Sequence, residues 1–251
     1  MDLIFLVESD LELCRTLSTS LGQAQYSVNT FFTTTDVIRE AEYLRPALII
    51  IDIALRSGNG LELCRRVRRN SFLSRTPLIL LTYRSSESDR IAGFDAGADD
   101  CIAKPLANGE FLARVQAVLR RYAPPFRASW DPSKDGVIQL GEIEIDSLAM
   151  RLSVRGTDVG ATTLEFRLIH HLARHQGRVF TRDELLDAVW GNTEFVTPRS
   201  VDTCVRRIRK KMEVGNGSAF QLKTVRGVGY RLDAPGAAYS HDRNDSSSGG
   251  Y

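Results

Sequence analysis

The first half of the chain contains four near-continuous runs of apolar or β-branched residues, and each run leads into polar residues. The runs are Leu3–Val7, Ala47–Ile51, Leu78–Leu81 and Cys101–Ala103, with a weaker run, Tyr26–Phe32, between the first two. Strands that are apolar on both faces are typical of parallel sheets covered by helices on each side. Segments with helical periodicity separate the runs, so the pattern predicts an open, doubly wound α/β sheet of five strand–helix units.

Polar side chains stand at the ends of these predicted strands. Such a sheet places its ligand site at the carboxyl ends of its strands, and Glu8, Asp52, Thr82 and Lys104 lie at or just beyond those ends. An acid that accepts a phosphoryl group, a hydroxyl and an ammonium that hold its oxygens, and carboxylates that bind Mg²⁺ would form a phosphoryl-transfer pocket. A strand-end Asp alone is more often a helix cap, but four polar groups on successive strand ends favour the pocket.

The second half has a different pattern. Residues 123–135 contain three prolines and no periodicity, which predicts a linker. Short alternating strands over 136–159, three helical patterns and a hairpin over 222–232 then predict an α+β domain. The helical patterns cover about Thr163–His175, Thr181–Val189 and Arg199–Met212. We therefore predict domains at 1–122 and 136–233, with a disordered tail rich in Ser, Gly, Ala and Asp at 234–251.

The third helical pattern carries an unusual concentration of positive charge. Residues 1–122 have 15 basic and 15 acidic side chains, whereas residues 136–233 have 15 basic and 12 acidic ones. Six of those basic groups fall between Arg199 and Lys211, with only Asp202 against them. Solvated surface helices usually mix both signs of charge, so this helix favours insertion into the major groove of double-stranded DNA. Lys223, Thr224 and Arg226 of the hairpin could reach an adjacent minor groove.

Several other classes of protein fit the sequence poorly. Cys14, Cys64, Cys101 and Cys204 form no Cys-x-x-Cys pair and no His cluster, so a reduced cytoplasmic setting fits better than a disulfide or zinc framework. No apolar run is long enough to span a membrane. The phosphate-binding loop of nucleotide hydrolases is absent, and the histidines form no triad or metal spacing. We therefore expect no enzyme and no membrane partner.

Residues 1–122 resemble the receiver domain of two-component response regulators. The matching motifs are Val7-Glu8, Asp52, Leu55-x-x-Gly58-x-Gly60, Thr82, Ala96-Gly97-Ala98-Asp99-Asp100 and Lys104-Pro105. The resemblance implies a flavodoxin-like fold and a histidine kinase that phosphorylates Asp52. It also implies that Thr82 and Lys104 contact the phosphoryl group, and that Glu8 and Asp52 hold Mg²⁺.

The receiver departs from its family pattern at several positions. Ser9 replaces the second acid of the strand-one pair, and a neutral hydroxyl is a poor Mg²⁺ ligand. Tyr83 follows Thr82 where a small residue is usual, Arg56 replaces a proline, and Cys101 replaces an aromatic residue. The first hypothesis is therefore a regulator that acts with little or no phosphorylation. The alternatives are a conventional regulator switched at Asp52, or a thiol-based redox sensor that uses Cys101 or Cys204.

Residues 136–233 resemble the winged-helix output domain of the OmpR/PhoB class. The motifs are Leu164-Glu165-Phe166-Arg167-Leu168, Gly177–Arg182, Val201-Asp202 with Arg206–Lys211, and Thr224–Arg231. The resemblance implies transcription regulation, with the segment 190–198 contacting RNA polymerase. From the helix pattern and the resemblance together, the predicted DNA-binding residues are Arg199, Thr203, Arg206, Arg207, Arg209, Lys210, Thr224 and Arg226.

The resemblance also implies a homodimer formed through the receiver. In this class, charged residues on the outer face of the receiver pair across a two-fold axis. The corresponding residues here are Arg90, Asp99, Asp100, Glu110, Arg114 and Arg121. A two-fold receiver dimer would fit tandem DNA half-sites.

Overall fold

A computed structural model describes residues 1–83, 87–122, 136–191, 198–213 and 221–233, without the side chains of residues 87–90. The first 122 residues form a parallel sheet in the order β2-β1-β3-β4-β5, which confirms the predicted doubly wound fold. Its strands are β1 Leu3–Val7, β2 Ser27–Phe31, β3 Leu48–Asp52, β4 Leu78–Thr82 and β5 Asp100–Ala103. Its helices are α1 Leu11–Gln23, α2 Val37–Leu44, α3 Gly60–Arg69, α4 Glu87–Ala96 and α5 Asn108–Tyr122.

Alternation along the central strands builds a hydrophobic core on each side of this sheet. Ile49 and Ile51 pack with apolar residues of α2 and α3, whereas Leu48 and Ile50 pack with those of α1 and α5. All five residues of β3 are buried, as the apolar runs predicted. A side chain at Gly60 would collide with the backbone carbonyl of Asp52, so glycine lets α3 begin against the end of β3.

The second domain is an α+β winged helix, as predicted. Its four-stranded antiparallel sheet has the order β6-β7-β8-β9, and its three-stranded sheet has the order β10-β12-β11. The strands are β6 Val137–Leu140, β7 Ile143–Asp146, β8 Arg151–Val154, β9 Thr157–Asp158, β10 Phe180–Thr181, β11 Gln221–Val225 and β12 Gly229–Asp233. The described helices are α6 Thr163–Arg174, α7 Arg182–Trp190 and α8 Pro198–Met212. The antiparallel pairing of β11 with β12 is the predicted hairpin, which we term the wing.

Two helices of this domain begin with reciprocal capping boxes. Thr162 Oγ1 accepts a hydrogen bond from the amide of Glu165, and Glu165 Oε2 accepts one from the amide of Thr162. Thr181 and Glu184 form the same arrangement at the start of α7. Each box pairs amides that have no partner within the helix, which fixes where the helix begins.

Several predicted segments lie outside the described residues. These are the linker 123–135, the tail 234–251 and most of the predicted polymerase-contacting segment, residues 192–197. Among the described residues, no helix combines the length and the apolar character needed to cross a bilayer.

Candidate phosphate pocket and nucleic-acid interface

The pocket at the carboxyl edge of the receiver sheet is organised around Lys104. Its Nζ lies 2.7 Å from Glu8 Oε2 and 3.1 Å from Asp52 Oδ2, and all three side chains are buried. Burial alone would lower the pKa of Lys104, but the hydrogen bond to Glu8 and the charge of Asp52 outweigh it, so this pKa is raised. The lysine is therefore a charged ammonium that already binds both carboxylates.

Neighbouring backbone groups hold the two carboxylates in place. Glu8 Oε1 accepts a hydrogen bond from the amide of Asp10, and Asp52 Oδ1 accepts one from the amide of Ala54. Thr82 is buried at the end of β4, the strand beside β3, and its carbonyl accepts a hydrogen bond from the amide of Lys104. The peptide bond between Lys104 and Pro105 is cis. Glu8, Asp52 and Lys104 therefore lie close together at the carboxyl edge of the sheet, as their positions at the predicted strand ends indicated.

Neither Ser9 nor Asp10 supplies a free carboxylate to this pocket. Ser9 Oγ accepts a hydrogen bond of 3.2 Å from the amide of Arg56. Asp10 Oδ1 accepts 3.0 Å hydrogen bonds from the amides of Glu12 and Leu13 and caps α1. The amide of Leu13 contributes most to the lowered pKa of Asp10, so its carboxylate is engaged as a helix cap rather than a metal ligand.

Tyr83 covers the lysine from the solvent side. Lys104 Nζ lies 4.3 Å from the centre of the Tyr83 ring, a distance typical of a cation–π contact. The tyrosine is exposed, so its ring stands between the ammonium and solvent. A phosphoryl group would have to share Lys104 with this ring as well as with two carboxylates.

These residues are a poor fit for Mg²⁺. The ion requires oxygen ligands in near-octahedral geometry and usually takes several from carboxylates and water. Lys104 neutralises much of the charge on Glu8 and Asp52, and Ser9 offers a hydroxyl that is already hydrogen-bonded. In the described part of the chain, no group of three or more His, Cys, Asp or Glu side chains is arranged to hold a metal.

The basic helix α8 has the predicted apolar face, and we term it the reading helix. Val201, Val205, Ile208 and Met212 are buried in the core of the second domain. On its other sides Arg199, Arg206 and Lys210 are exposed, and so are Thr224 and Arg226 of the wing. Thr203, by contrast, is buried, and Arg207 is only partly accessible.

Arg207 forms part of a buried ionic cluster. Its Nε donates a 2.6 Å hydrogen bond to Glu165 Oε1, and Lys211 Nζ donates one of 2.7 Å to Glu165 Oε2. Burial would raise the pKa of Glu165, but these two cations lower it to about 2. Glu165 therefore fixes the reading helix to the start of α6. The sequence did not reveal this role of Glu165, because Arg207 lies 42 residues further along the chain.

Arg209 and Asp202 connect the reading helix to the wing. Arg209 Nη2 donates hydrogen bonds of 2.7 Å to the carbonyl of Leu222 and 2.9 Å to Thr224 Oγ1. Asp202 Oδ1 accepts hydrogen bonds from Tyr230 Oη, 2.6 Å, and Arg182 Nε, 2.7 Å. Sequence reasoning identified Arg209 only as a DNA contact and missed the positioning roles of Asp202 and Tyr230, because these contacts join residues far apart in the chain.

Comparison with known proteins identifies both halves. Residues 4–116 match the family described as "Response regulator receiver domain", and residues 156–232 match "Transcriptional regulatory protein, C terminal". The phosphate regulon transcriptional regulatory protein PhoB of Rhizobium meliloti is 36% identical over 231 residues, which are 92% of this chain and 98% of that protein. The chain belongs to the OmpR/PhoB family of DNA-binding response regulators.

Two further comparisons agree with this assignment. The transcriptional regulatory protein AfsQ1 of Streptomyces coelicolor is 37% identical over 235 residues, 94% of this chain and 100% of that protein. A solved structure of a RitR mutant matches with a TM-score of 0.75 at 21% identity, and covers 93% of this chain and 100% of that one. At that identity the structural likeness supports the fold alone.

Five of the six charged residues predicted to form a dimer face have partners within the chain. Asp99 Oδ2 pairs with Arg68 Nη2 at 2.8 Å, and Tyr122 Oη donates a 2.7 Å hydrogen bond to Asp99 Oδ1. Arg114 Nη1 lies 3.2 Å from Asp100 Oδ1, and Arg114 Nη2 lies 2.9 Å from Glu110 Oε1. Arg121 is buried, and the side chain of Arg90 lies outside the described residues. The dimer role of this set therefore stays a prediction.

All four cysteines of this response regulator are buried, and none of them forms a disulfide. Burial raises the pKa of the Cys64 thiol to about 11 and also raises the pKa of Cys204 well above its usual value. A high thiol pKa lowers the fraction of reactive thiolate. The redox hypothesis for Cys101 or Cys204 gains no support from this burial.

Proposed function

We propose that this response regulator binds specific DNA sequences through α8 and the wing while its receiver acts with little or no phosphorylation of Asp52. The observation that carries the proposal is the bonding of Lys104 to both Glu8 and Asp52, with Ser9 in place of the second strand-one acid. The conventional alternative, a switch driven by a histidine kinase, requires that lysine to serve an incoming phosphoryl group.

The net charge of the pocket disfavours the binding of a divalent cation. Two carboxylates and one ammonium leave a single net negative charge, whereas a divalent cation is held best by several carboxylates. Metal binding would require Glu8 and Asp52 to weaken their buried contacts with Lys104, and a buried ion pair is costly to break. Tyr83 adds a steric obstacle on the solvent side. Both effects disfavour phosphoryl transfer to Asp52.

In the DNA-binding domain, we propose that three exposed cations of α8 and two residues of the wing contact DNA. Arg199, Arg206 and Lys210 project from the reading helix, and Thr224 and Arg226 project from the wing. Arginine can bind guanine in the major groove with two hydrogen bonds, and lysine contributes mainly through phosphates. RNA polymerase and a second copy of the chain are proposed further partners in the cytoplasm, and we expect no enzymatic turnover.

To test this, the protein is incubated with Mg²⁺ and a small phosphodonor. Phosphate on Asp52 is then measured by mass spectrometry of the intact protein. We expect a small phosphorylated fraction and unchanged DNA affinity. Asp52→Asn serves as the control for nonspecific labelling. Stoichiometric phosphate on Asp52 accompanied by tighter DNA binding would favour the conventional switch instead.

A further inference from the structure

Two histidines stand one turn apart at the carboxyl end of α6. His171 lies in the last turn of the helix and His175 caps it. Residues four apart are neighbours on one face of a helix, and the two ring centres lie 4.9 Å apart with an interplanar angle of 42°. Two histidines at this spacing can bind one metal ion. The histidine pattern of the sequence predicted no metal site, but it does not show the contacts that these rings make in the fold.

One aromatic side chain packs against both imidazoles. The ring of Phe180 lies 4.8 Å from that of His171 at an angle of 63°, and 5.6 Å from that of His175 at 74°. Phe180 is buried in β10, which pairs with β12. The two imidazoles therefore lie against a fixed wall, which restricts their rotation before any ligand binds. Such support by packing is what a preorganised binding site requires.

The ring nitrogens of this pair are suited to coordination. His175 Nδ1 lies 2.9 Å from the carbonyl oxygen of His171, and because a carbonyl oxygen only accepts, Nδ1 donates and Nε2 keeps its lone pair. Metal-binding histidines are commonly oriented by such a bond to a backbone carbonyl. His171 Nε2 is buried and has no hydrogen-bond partner in the described part of the chain. A buried polar atom without a partner costs free energy, and coordination of a metal ion there would remove that cost.

The charges around the pair permit a cation. Arg178 stacks over Phe180, with its Cζ 4.4 Å from the ring centre, and its Nη2 donates a 3.1 Å hydrogen bond to Glu184 Oε1. The positive charge of Arg178 is therefore balanced by a carboxylate. Arg174 is exposed, so solvent and salt screen its charge. The carboxyl end of a helix carries partial negative charge, which favours a bound cation at this position.

We propose that His171 and His175 bind a divalent transition-metal ion through their ring nitrogens at the carboxyl end of α6. Imidazole suits Zn²⁺, Cu²⁺ and Ni²⁺, whereas Mg²⁺ prefers oxygen ligands, so this site takes a different class of metal from the one considered for the receiver pocket. No third His, Cys, Asp or Glu among the described residues joins the pair. Water would therefore complete the coordination, and we expect a weaker, more readily exchanged ion than in a site with three or four protein ligands.

The experiment titrates Zn²⁺ into the full-length, untagged protein and measures binding by isothermal titration calorimetry. His175→Gln removes one proposed ligand, and His241→Gln, outside the described residues, is the matched control for loss of a histidine. His171→Phe removes the other ligand but keeps an aromatic ring against Phe180. Asp52→Asn shows whether the carboxylates of the receiver pocket contribute to Zn²⁺ binding.

Zn²⁺ should bind the wild type, His241→Gln and Asp52→Asn with equal affinity. His175→Gln and His171→Phe should each weaken binding by at least about tenfold, because loss even of a group that only orients a ligand costs about 10–100-fold. An excess of Mg²⁺ should not displace the bound Zn²⁺. In NMR spectra that correlate the ring protons and nitrogens of histidine, Zn²⁺ should shift the signals of His171 and His175.

Equal Zn²⁺ affinity in the wild type and His175→Gln would overturn the proposal. Loss of binding in His241→Gln or in Asp52→Asn would also overturn it, because the ion would then lie elsewhere. Circular dichroism checks that each variant is folded. His175 is exposed, so His175→Gln decides the question even if His171→Phe fails to fold. Neither measurement involves DNA or a phosphodonor, so this inference stands or falls independently of the proposed function.

Discussion

Ser9 takes the place where a second strand-one carboxylate would stand, and the sequence alone located this substitution. The sequence could not show which contacts the neighbouring residues make in the absence of that carboxylate. Lys104 binds both remaining acids, Asp10 caps α1, and the amide of Arg56 donates to Ser9. These contacts join residues at strand ends, in loops and at the start of a helix. Loop geometry is set by the packed domain and has no periodic signature in the sequence.

Restoration of the missing acid by Ser9→Asp should raise Mg²⁺ affinity by at least about tenfold, equivalent to roughly 1.4 kcal/mol. A third carboxylate would offset the charge that Lys104 neutralises and would supply a ligand of the type Mg²⁺ prefers. Isothermal titration calorimetry measures the change, with Ser9→Asn as the uncharged control. If Ser9→Asp binds no better than Ser9→Asn, the combined variant Ser9→Asp/Tyr83→Ala tests whether the Tyr83 ring closes the site.

Arg199→Ala should weaken specific DNA binding by roughly 1–3 kcal/mol, the cost of a lost arginine–base contact. Arg199 is exposed on the reading helix, whereas Arg207, which the sequence also predicted as a DNA contact, is bound to Glu165. Fluorescence anisotropy against a selected DNA site measures the change, and Arg151→Ala, an exposed basic position on β8, serves as control. Equal affinities for the two variants would remove Arg199 from the reading surface.

At the scale of elements, the apolar runs located the parallel strands to within one or two residues. Strands that are buried on both faces leave a nearly unbroken signature, and β3 and β4 are completely buried. The two-residue strand β10 went unpredicted, because it exists only through its pairing with β12. Likewise, helical periodicity identified the core face of α8. It could not show that Thr203, on the polar side, would be buried against another domain.

The junction of α6 and α8 should make the stability of the second domain sensitive to acid. The pKa of Glu165 in the folded protein, about 2, lies below its ordinary value of 4.5. Its stabilisation is therefore complete above about pH 4.5 and is lost as pH falls toward the folded value. The shift corresponds to roughly 3 kcal/mol at neutral pH, taken at 1.36 kcal/mol per pKa unit.

Urea denaturation at pH 7 and at pH 3 measures this contribution. The wild type should lose part of this stabilisation when the pH falls from 7 to 3. Glu165→Gln should be less stable at pH 7, because Arg207 and Lys211 lose their shared carboxylate, and should lose less on acidification. Glu184→Gln, at the exposed capping box of α7, is the matched control for loss of a capping carboxylate. Identical pH dependence in wild type and Glu165→Gln would mean that the ionic cluster does not stabilise the fold.

At the scale of the whole molecule, the sequence predicted two domains and their kinds but not how they meet. Contacts such as that of Arg207 with Phe94 join positions 113 residues apart, and no local pattern encodes such a pairing. A polar helix face looks the same in sequence whether it is solvated, bound to DNA or docked on a receiver. The structure therefore adds what composition cannot: three of the cations predicted to bind DNA, Arg206, Arg207 and Arg209, have protein partners.

This arrangement makes the salt dependence of DNA binding informative. Cations that contact phosphates release counterions, so log affinity should fall steeply with log salt, with a slope on the order of −3 to −5 for a few phosphate contacts. Anisotropy titrations run from about 50 to about 300 mM salt measure this slope. A flat response would exclude DNA binding by this face.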